Sequence, residues 1–234
     1  MNALEPAIQV AVARTREQVA RLHEDLVRYD LVVWTSGDIS ARVPGADLFV
    51  IKPSSIGADD LSPENLVLCD LDGAVMADTP GWDRDPSDAV AAHSFIYRAD
   101  PSIGSVVHTH STYATAWAAR AEPIPCVLMA TAREFGGEIP LGPLVDLGDE
   151  SVGREIVALL TRQRSRAVLM QSHGLFTVGV DAPSAVRAAV LAEDVARTTH
   201  IAQELGILTP LPQQLIDRLY EASRTRLGIG ATAP

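Results

Sequence analysis

The chain has 234 residues, 30 acidic against 19 basic side chains, a formal charge of -11, 47% hydrophobic residues, two cysteines and a single lysine, Lys52. That length supports one sizeable core, and an acidic balance without a Lys/Arg cluster excludes a nucleic-acid surface, which needs a basic stripe to displace phosphate counterions. No apolar run reaches the roughly 18 to 20 residues that span a bilayer, and the start lacks a basic segment followed by an apolar one, so we expect a soluble cytoplasmic protein with no membrane partner.

From Pro6 to about Arg28, Ile8, Val12, Val19, Leu22 and Leu26 recur at steps of three, four and seven, which predicts one long amphipathic helix. Short antiparallel strands follow at LVVW, at ISARV after a TSGDIS turn, at LFVIK and at LVLCDLDG. A Pro/Gly/Asp loop then leads into a helix over DAVAAHSFIYRA, with Ser87 as its N-cap. The strand SVVHTH, a short helix at TYATAWAAR, a Pro-punctuated strand region and a helix near ESVGREIVALLTRQ come next. A hairpin of RAVLMQSH with LFTVGV precedes two closing helices, from Ser184 to about Leu205 and from about Gln213 to Arg226. This order predicts a single α/β domain over 1–234, a mainly antiparallel sheet flanked by helices, with a helical tail from about residue 206. Cys69 and Cys126 lie in apolar surroundings and read as buried reduced thiols. Any Schiff-base chemistry would have to use Lys52.

Histidines carry the sharper signal. His108 and His110 are two apart on an apolar strand, so both imidazoles leave one face of the sheet. His173 stands at the end of a later strand, before Gly174. Three imidazoles on rigid strands suit a catalytic divalent metal, which takes three protein ligands and keeps positions open for substrate. An isolated His-x-His is equally well a packed pair, and the SHG segment tips the balance toward ligation. His93 and His200 fall mid-helix and His23 on the polar side of the first helix, positions that suit packing or surface.

The segments TSGDISAR, FVIKPSS, LSPENLVLCDLDG, HSFIYRADPSIGSVVHTHSTYATAWA, FGGEIP and VLMQSHGLFTVG resemble the class II aldolase/adducin family over about residues 14–205, nearest its L-ribulose-5-phosphate 4-epimerase and L-fuculose-phosphate aldolase branch. The resemblance implies a C4 homotetramer with active sites at subunit interfaces. It also implies a small-molecule substrate and a divalent ion, Zn2+ first and Mn2+, Co2+ or Fe2+ as alternatives, held by His108, His110 and His173. Ser36, Gly37, Asp38, Lys52, Ser54, Ser55 and Ser87 fall at the positions that bind the substrate's anionic group.

Several positions depart from that pattern. Asp38 replaces the usual Asn, and Ser55 the usual Gly. Counting back four residues from His93 places Ala89 where the family carries an acid, with Asp88 one position earlier. Arg133 stands where the epimerase branch has an Asp before FGG, and Leu219 and Leu227 match its C-terminal His and Tyr; Tyr220 is either a proton carrier or a core residue. Epimerisation needs proton carriers on both faces of an aldehyde, whereas C–C cleavage needs only the metal as electron sink. The sequence reading is therefore a metal-dependent carbon–carbon lyase, working by retro-aldol cleavage or decarboxylation through a metal-stabilised enediolate. Asp88 and Tyr113 are the candidates for proton transfer, and Arg133 either holds a carboxylate or pairs with Glu134 or Glu138. A sugar-phosphate 4-epimerase is the alternative, and an adducin-like scaffold is less favoured because it has no use for an open metal site.

Overall fold

Helix α1 runs over Pro6–Arg28 and buries Val12, Val19, Leu22 and Leu26, the stripe its spacing predicts. It also buries His23, which is 1% exposed, so this histidine belongs to the packed face and not to the polar one. The computed structural model describes residues 4–57, 60–77, 79–80, 82–146 and 148–226; Leu227 lies outside them.

Seven strands follow: β1 (Asp38–Arg42), β2 (Leu48–Ile51), β3 (Val67–Asp70), β4 (Ser105–Thr109), β5 (Leu141–Gly142), β6 (Ala167–Met170) and β7 (Gly174–Gly179). They form one sheet in the order β3-β2-β1-β4-β7-β6-β5, antiparallel throughout except for the parallel pair β5 and β6. Helices α2 (Val90–Ala99), α3 (Thr112–Ala119), α4 (Met129–Phe135), α5 (Ser151–Arg162), α6 (Ala182–Leu205) and α7 (Gln213–Arg226) flank it.

Strand alternation sends Ile39, Ala41, Val50 and Val107 into a core with α1, α3 and α6, and Phe49, Ile51, Val106, Val168 and Phe176 into a second core with α2 and α5. Alanines 185, 188, 189, 192 and 196 of α6 are all fully buried, and side chains this small let the helix lie close on the sheet.

Four sequence expectations need correction. LVVW is not a strand: Leu31 is buried, but Val33 and Trp34 are 74% and 87% exposed, and Trp34 turns the chain with a left-handed φ of 58°. β1 starts at Asp38, inside the expected turn. The Pro-punctuated region contains helix α4. Ser87 is not the N-cap of α2, a place taken by Ala89. Both cysteines are free and buried, as expected.

Candidate metal centre and substrate pocket

The antiparallel register brings the start of β1, the end of β2, the end of β4 and the start of β7 to one edge of the sheet. Asp38 is the cross-strand partner of His108, and His108 that of Phe176. The His108 ring stacks on Phe176 with centroids 4.1 Å apart. His110 stands just beyond β4 and His173 just before β7, after Ser172, whose φ of 57° turns the chain into the strand. Gly174 is required here: a Cβ would sit 2.5 Å from the Thr109 carbonyl oxygen and 2.9 Å from the His110 ring.

The three histidines offer ligand atoms that all lie within 4.8 Å of one another, with His108 Nε2 and His110 Nε2 3.0 Å apart. His108 Nδ1 lies 3.1 Å from the Leu175 carbonyl, which only accepts, so Nδ1 carries the proton and Nε2 keeps a lone pair. Burial, reinforced by the neighbouring imidazoles, pushes His108 down to about 3 and His173 to about 4, and burial also lowers His110. All three are thus neutral at pH 7. His110 Nε2–H can donate to the His108 lone pair, and with the His110 proton on Nδ1 instead both nitrogens are free to share a cation; bond lengths of 2.0–2.1 Å to a tetrahedral ion would space the nitrogens about 3.3 Å apart. The donor set fits a divalent metal.

These histidines line a cavity of about 210 Å3 together with Ser36, Gly37, Asp38, Lys52, Ser54, Ser87 and Asp88. Ten of the thirteen sequence-derived site residues therefore share one space. Ser55 is exposed off its wall. Tyr113 packs instead against His200 and Arg197 of α6, and Arg133 is exposed on α4, paired with neither Glu134 nor Glu138. Tyr220 is buried, and its hydroxyl donates to the Arg164 carbonyl at 3.2 Å, the core reading of this residue.

Lys52 is 2% exposed and donates to the carbonyls of Thr35 (2.8 Å) and Pro53 (3.1 Å). Burial lowers its pKa, against the opposing pull of Asp38 and Asp88. Asp38 is 3% exposed; its Oδ2 accepts from Ser87 Oγ at 2.5 Å, and its Oδ1 lies 3.2 Å from His93 Nε2, without hydrogen-bond alignment. Behind it, His93 Nδ1 meets Ser40 Oγ at 2.7 Å, and Ser40 Oγ meets the Tyr97 hydroxyl at 2.7 Å. Burial lowers the His93 pKa. With His93 neutral, one assignment is consistent along the row: Tyr97 donates to Ser40, Ser40 to His93 Nδ1, and Nε2–H faces the Asp38 carboxylate as a close polar contact. Burial works against the ionised Asp38 carboxyl, but His93, His108, Ser87 and Lys52 together hold it below the ordinary carboxylate range.

Sequence reasoning missed His93 as the support of Asp38, and also Asp149, which lines the cavity from the turn before α5. The polar, apolar alternation of Asp38, Ile39, Ser40, Ala41 and Arg42 was the available signal for the first. Nothing in the sequence marked the second.

Comparison with known proteins agrees with this arrangement. Residues 17–200 match the family model described as Class II Aldolase and Adducin N-terminal domain. L-ribulose-5-phosphate 4-epimerase UlaF of Salmonella paratyphi B is 36% identical over 219 residues, 88% of this chain and 93% of that protein. A solved structure of an L-fuculose 1-phosphate aldolase matches with a TM-score of 0.82 at 24% identity, covering 89% of this chain and 95% of that one. The L-fuculose 1-phosphate aldolase of Glaciozyma antarctica PI12 matches at 0.78 and 20% identity, covering 95% and 86%. At these identities the two structures speak for the fold.

Proposed function

Because the chain belongs to the class II aldolase and adducin N-terminal domain family, we propose that it is a metal-dependent enzyme that breaks and re-forms a carbon–carbon bond in a small ketose-type substrate. The observation that carries this reading is the convergence of three imidazoles on the wall of a cavity that also holds the chain's only lysine. A bound divalent ion, zinc in this proposal with manganese, cobalt or iron as alternatives, supplies Lewis-acid polarisation of adjacent substrate oxygens and a sink for the electron pair of the broken bond.

The residues of the chain do the rest. His108, His110 and His173 fix the ion, and the Leu175 carbonyl fixes the His108 tautomer. Lys52, Ser36, Gly37, Ser54 and Ser87, with Asp38, hold the remainder of the substrate. Asp88, exposed on the cavity wall, is the nearest candidate for moving a proton at a substrate hydroxyl. Tyr113 and Arg133 enter only as groups offered to a neighbouring subunit, which makes the homotetramer with shared sites part of the proposal.

The named relatives favour 4-epimerisation, in which the cleaved aldehyde turns and re-adds on its other face. One observation favours a lyase outcome, cleavage or decarboxylation, as a second reading: Ala89 presents a methyl group to the cavity at the place where the resemblance expects an acid. Product analysis separates the two. Metal-loaded protein incubated with L-ribulose and with its 5-phosphate should yield the xylulose epimer if re-addition occurs, and two- and three-carbon fragments if it does not. No conversion of either ketose with any of the four metals would remove the proposal.

A further inference from the structure

The surroundings of Lys52 are poorly suited to a doubly charged ligand. Of its three ammonium N–H bonds, two go to the Thr35 and Pro53 carbonyls, so one remains for a substrate. Asp38 and Asp88 both act on the ammonium charge, and both line the cavity with it, as does Asp149. Ser87 gives its hydroxyl proton to Asp38 Oδ2 and therefore turns an oxygen lone pair, not a donor, toward anything else. Asp38 is held in that role from behind by His93, itself braced on Ser40 and Tyr97. Ser36 gives its hydroxyl proton to the Val33 carbonyl, so a phosphate dianion entering here would meet one ammonium hydrogen and the Ser54 hydroxyl set against the carboxylates of Asp38 and Asp88, whereas a hydroxyl, which both donates and accepts, finds partners of both kinds.

We propose that the Lys52 side of the cavity takes the uncharged, hydroxylated end of a polyol substrate and rejects a phosphate dianion, with Asp38 and Asp88 as the specificity-determining residues. This rests on the carbon–carbon bond reading above, and it sets the chain apart from relatives whose names specify a phosphate ester. Discrimination is then built by repulsion as well as by fit: the carboxylates exclude the charged competitor that the single lysine would otherwise attract.

The test uses the metal-loaded full chain with L-ribulose and L-ribulose 5-phosphate, in the wild type, Asp88→Asn and Asp38→Asn. Asp88 is exposed, so its variant keeps the fold even if replacement of the buried Asp38 does not. The wild-type kcat/KM should favour the free ketose by about tenfold or more, and each variant should move the ratio toward the phosphate by about fivefold or more. A wild-type preference for the phosphate ester, or a ratio unmoved in Asp88→Asn, overturns the proposal. If the wild type converts neither ketose, the catalytic reading fails separately; in that case, and equally where Asp88→Asn loses conversion because Asp88 moves the proton, calorimetric binding of glycerol 3-phosphate decides specificity. Affinity about fivefold higher in Asp88→Asn than in the wild type supports the repulsive pocket, and equal affinity overturns it.

Discussion

Hydrogen at position 174 is what allows His173 and His110 to face each other. A methyl group there would meet the Thr109 carbonyl oxygen at 2.5 Å and the His110 ring at 2.9 Å, and the backbone contact cannot relax without moving β7 from β4. Gly174→Ala should therefore weaken metal binding by about 10- to 100-fold, as loss of ligand orientation does elsewhere, while far-UV circular dichroism stays native. Unchanged affinity in a chelator competition would contradict this geometry. His23 gives a pH-dependent counterpart away from the metal. Its Nδ1–H donates to the Val19 carbonyl (2.8 Å), and its Nε2 accepts from the backbone N–H of Ile39 (3.2 Å), beside Asp38. Burial pushes its pKa from 6.5 down to about 4. Because the folded value lies below the unfolded one, the neutral ring stabilises fully above pH 6.5, and that contribution is lost as pH falls from 6.5 toward 4. At about 1.4 kcal/mol per pH unit the loss totals about 3 kcal/mol. His23→Gln, which retains an acceptor, should show a correspondingly flatter decline in urea stability between pH 7 and 4.5; an unchanged decline would refute the assignment.

At the scale of elements, α2 and α5 hold the wall of the cavity opposite the sheet's second face, and their approach depends on Gly153. A Cβ at this position would lie 2.7 Å from the Ala92 carbonyl oxygen and 2.8 Å from Phe95 Cβ. Ala92 and Val152 both line the cavity. Gly153→Ala should cost about 1 to 3 kcal/mol of stability by overpacking and raise KM more than it lowers kcat, measured by denaturant melts and ketose kinetics. A fully neutral substitution would mean the two helices are free to separate. How much of this was legible in the sequence depends on periodicity. The stripe of α1 spans six turns and was plain, as was the alternation that aligns His108 with His110. Seven-residue α4 is too short to show a helical period between prolines, and LVVW looked like a strand because apolar content was taken for burial. The site divides the same way. The metal ligands stood in short, patterned segments. Asp149 and the support of Asp38 by His93 depend on which helix packs over which strand, a tertiary fact that single-sequence periodicity does not contain.

For the whole molecule, the acidic charge and the lone lysine acquire a local meaning. Of 30 acidic residues, Asp38, Asp88 and Asp149 share the cavity with Lys52, and a divalent ion on the three histidines would bring the pocket's charge near balance. Among the described residues no helix is long and apolar enough to cross a membrane. The proposed homotetramer should scatter light as four 25.0 kDa chains, and Arg133→Ala should lower activity only if α4 borders a neighbour's site. A monomeric mass with full activity would remove the shared-site part of the proposal. The central claim is that the three histidines hold a metal that carries carbon–carbon chemistry. It is tested most directly by following ketose conversion by the wild type before chelation, after chelation and after restoring Zn2+, Mn2+ or Co2+, with His173→Ala alongside. The account predicts that chelation abolishes conversion, that metal restores it, and that His173→Ala stays inactive throughout. Conversion that survives chelation, or that persists in His173→Ala, would contradict it.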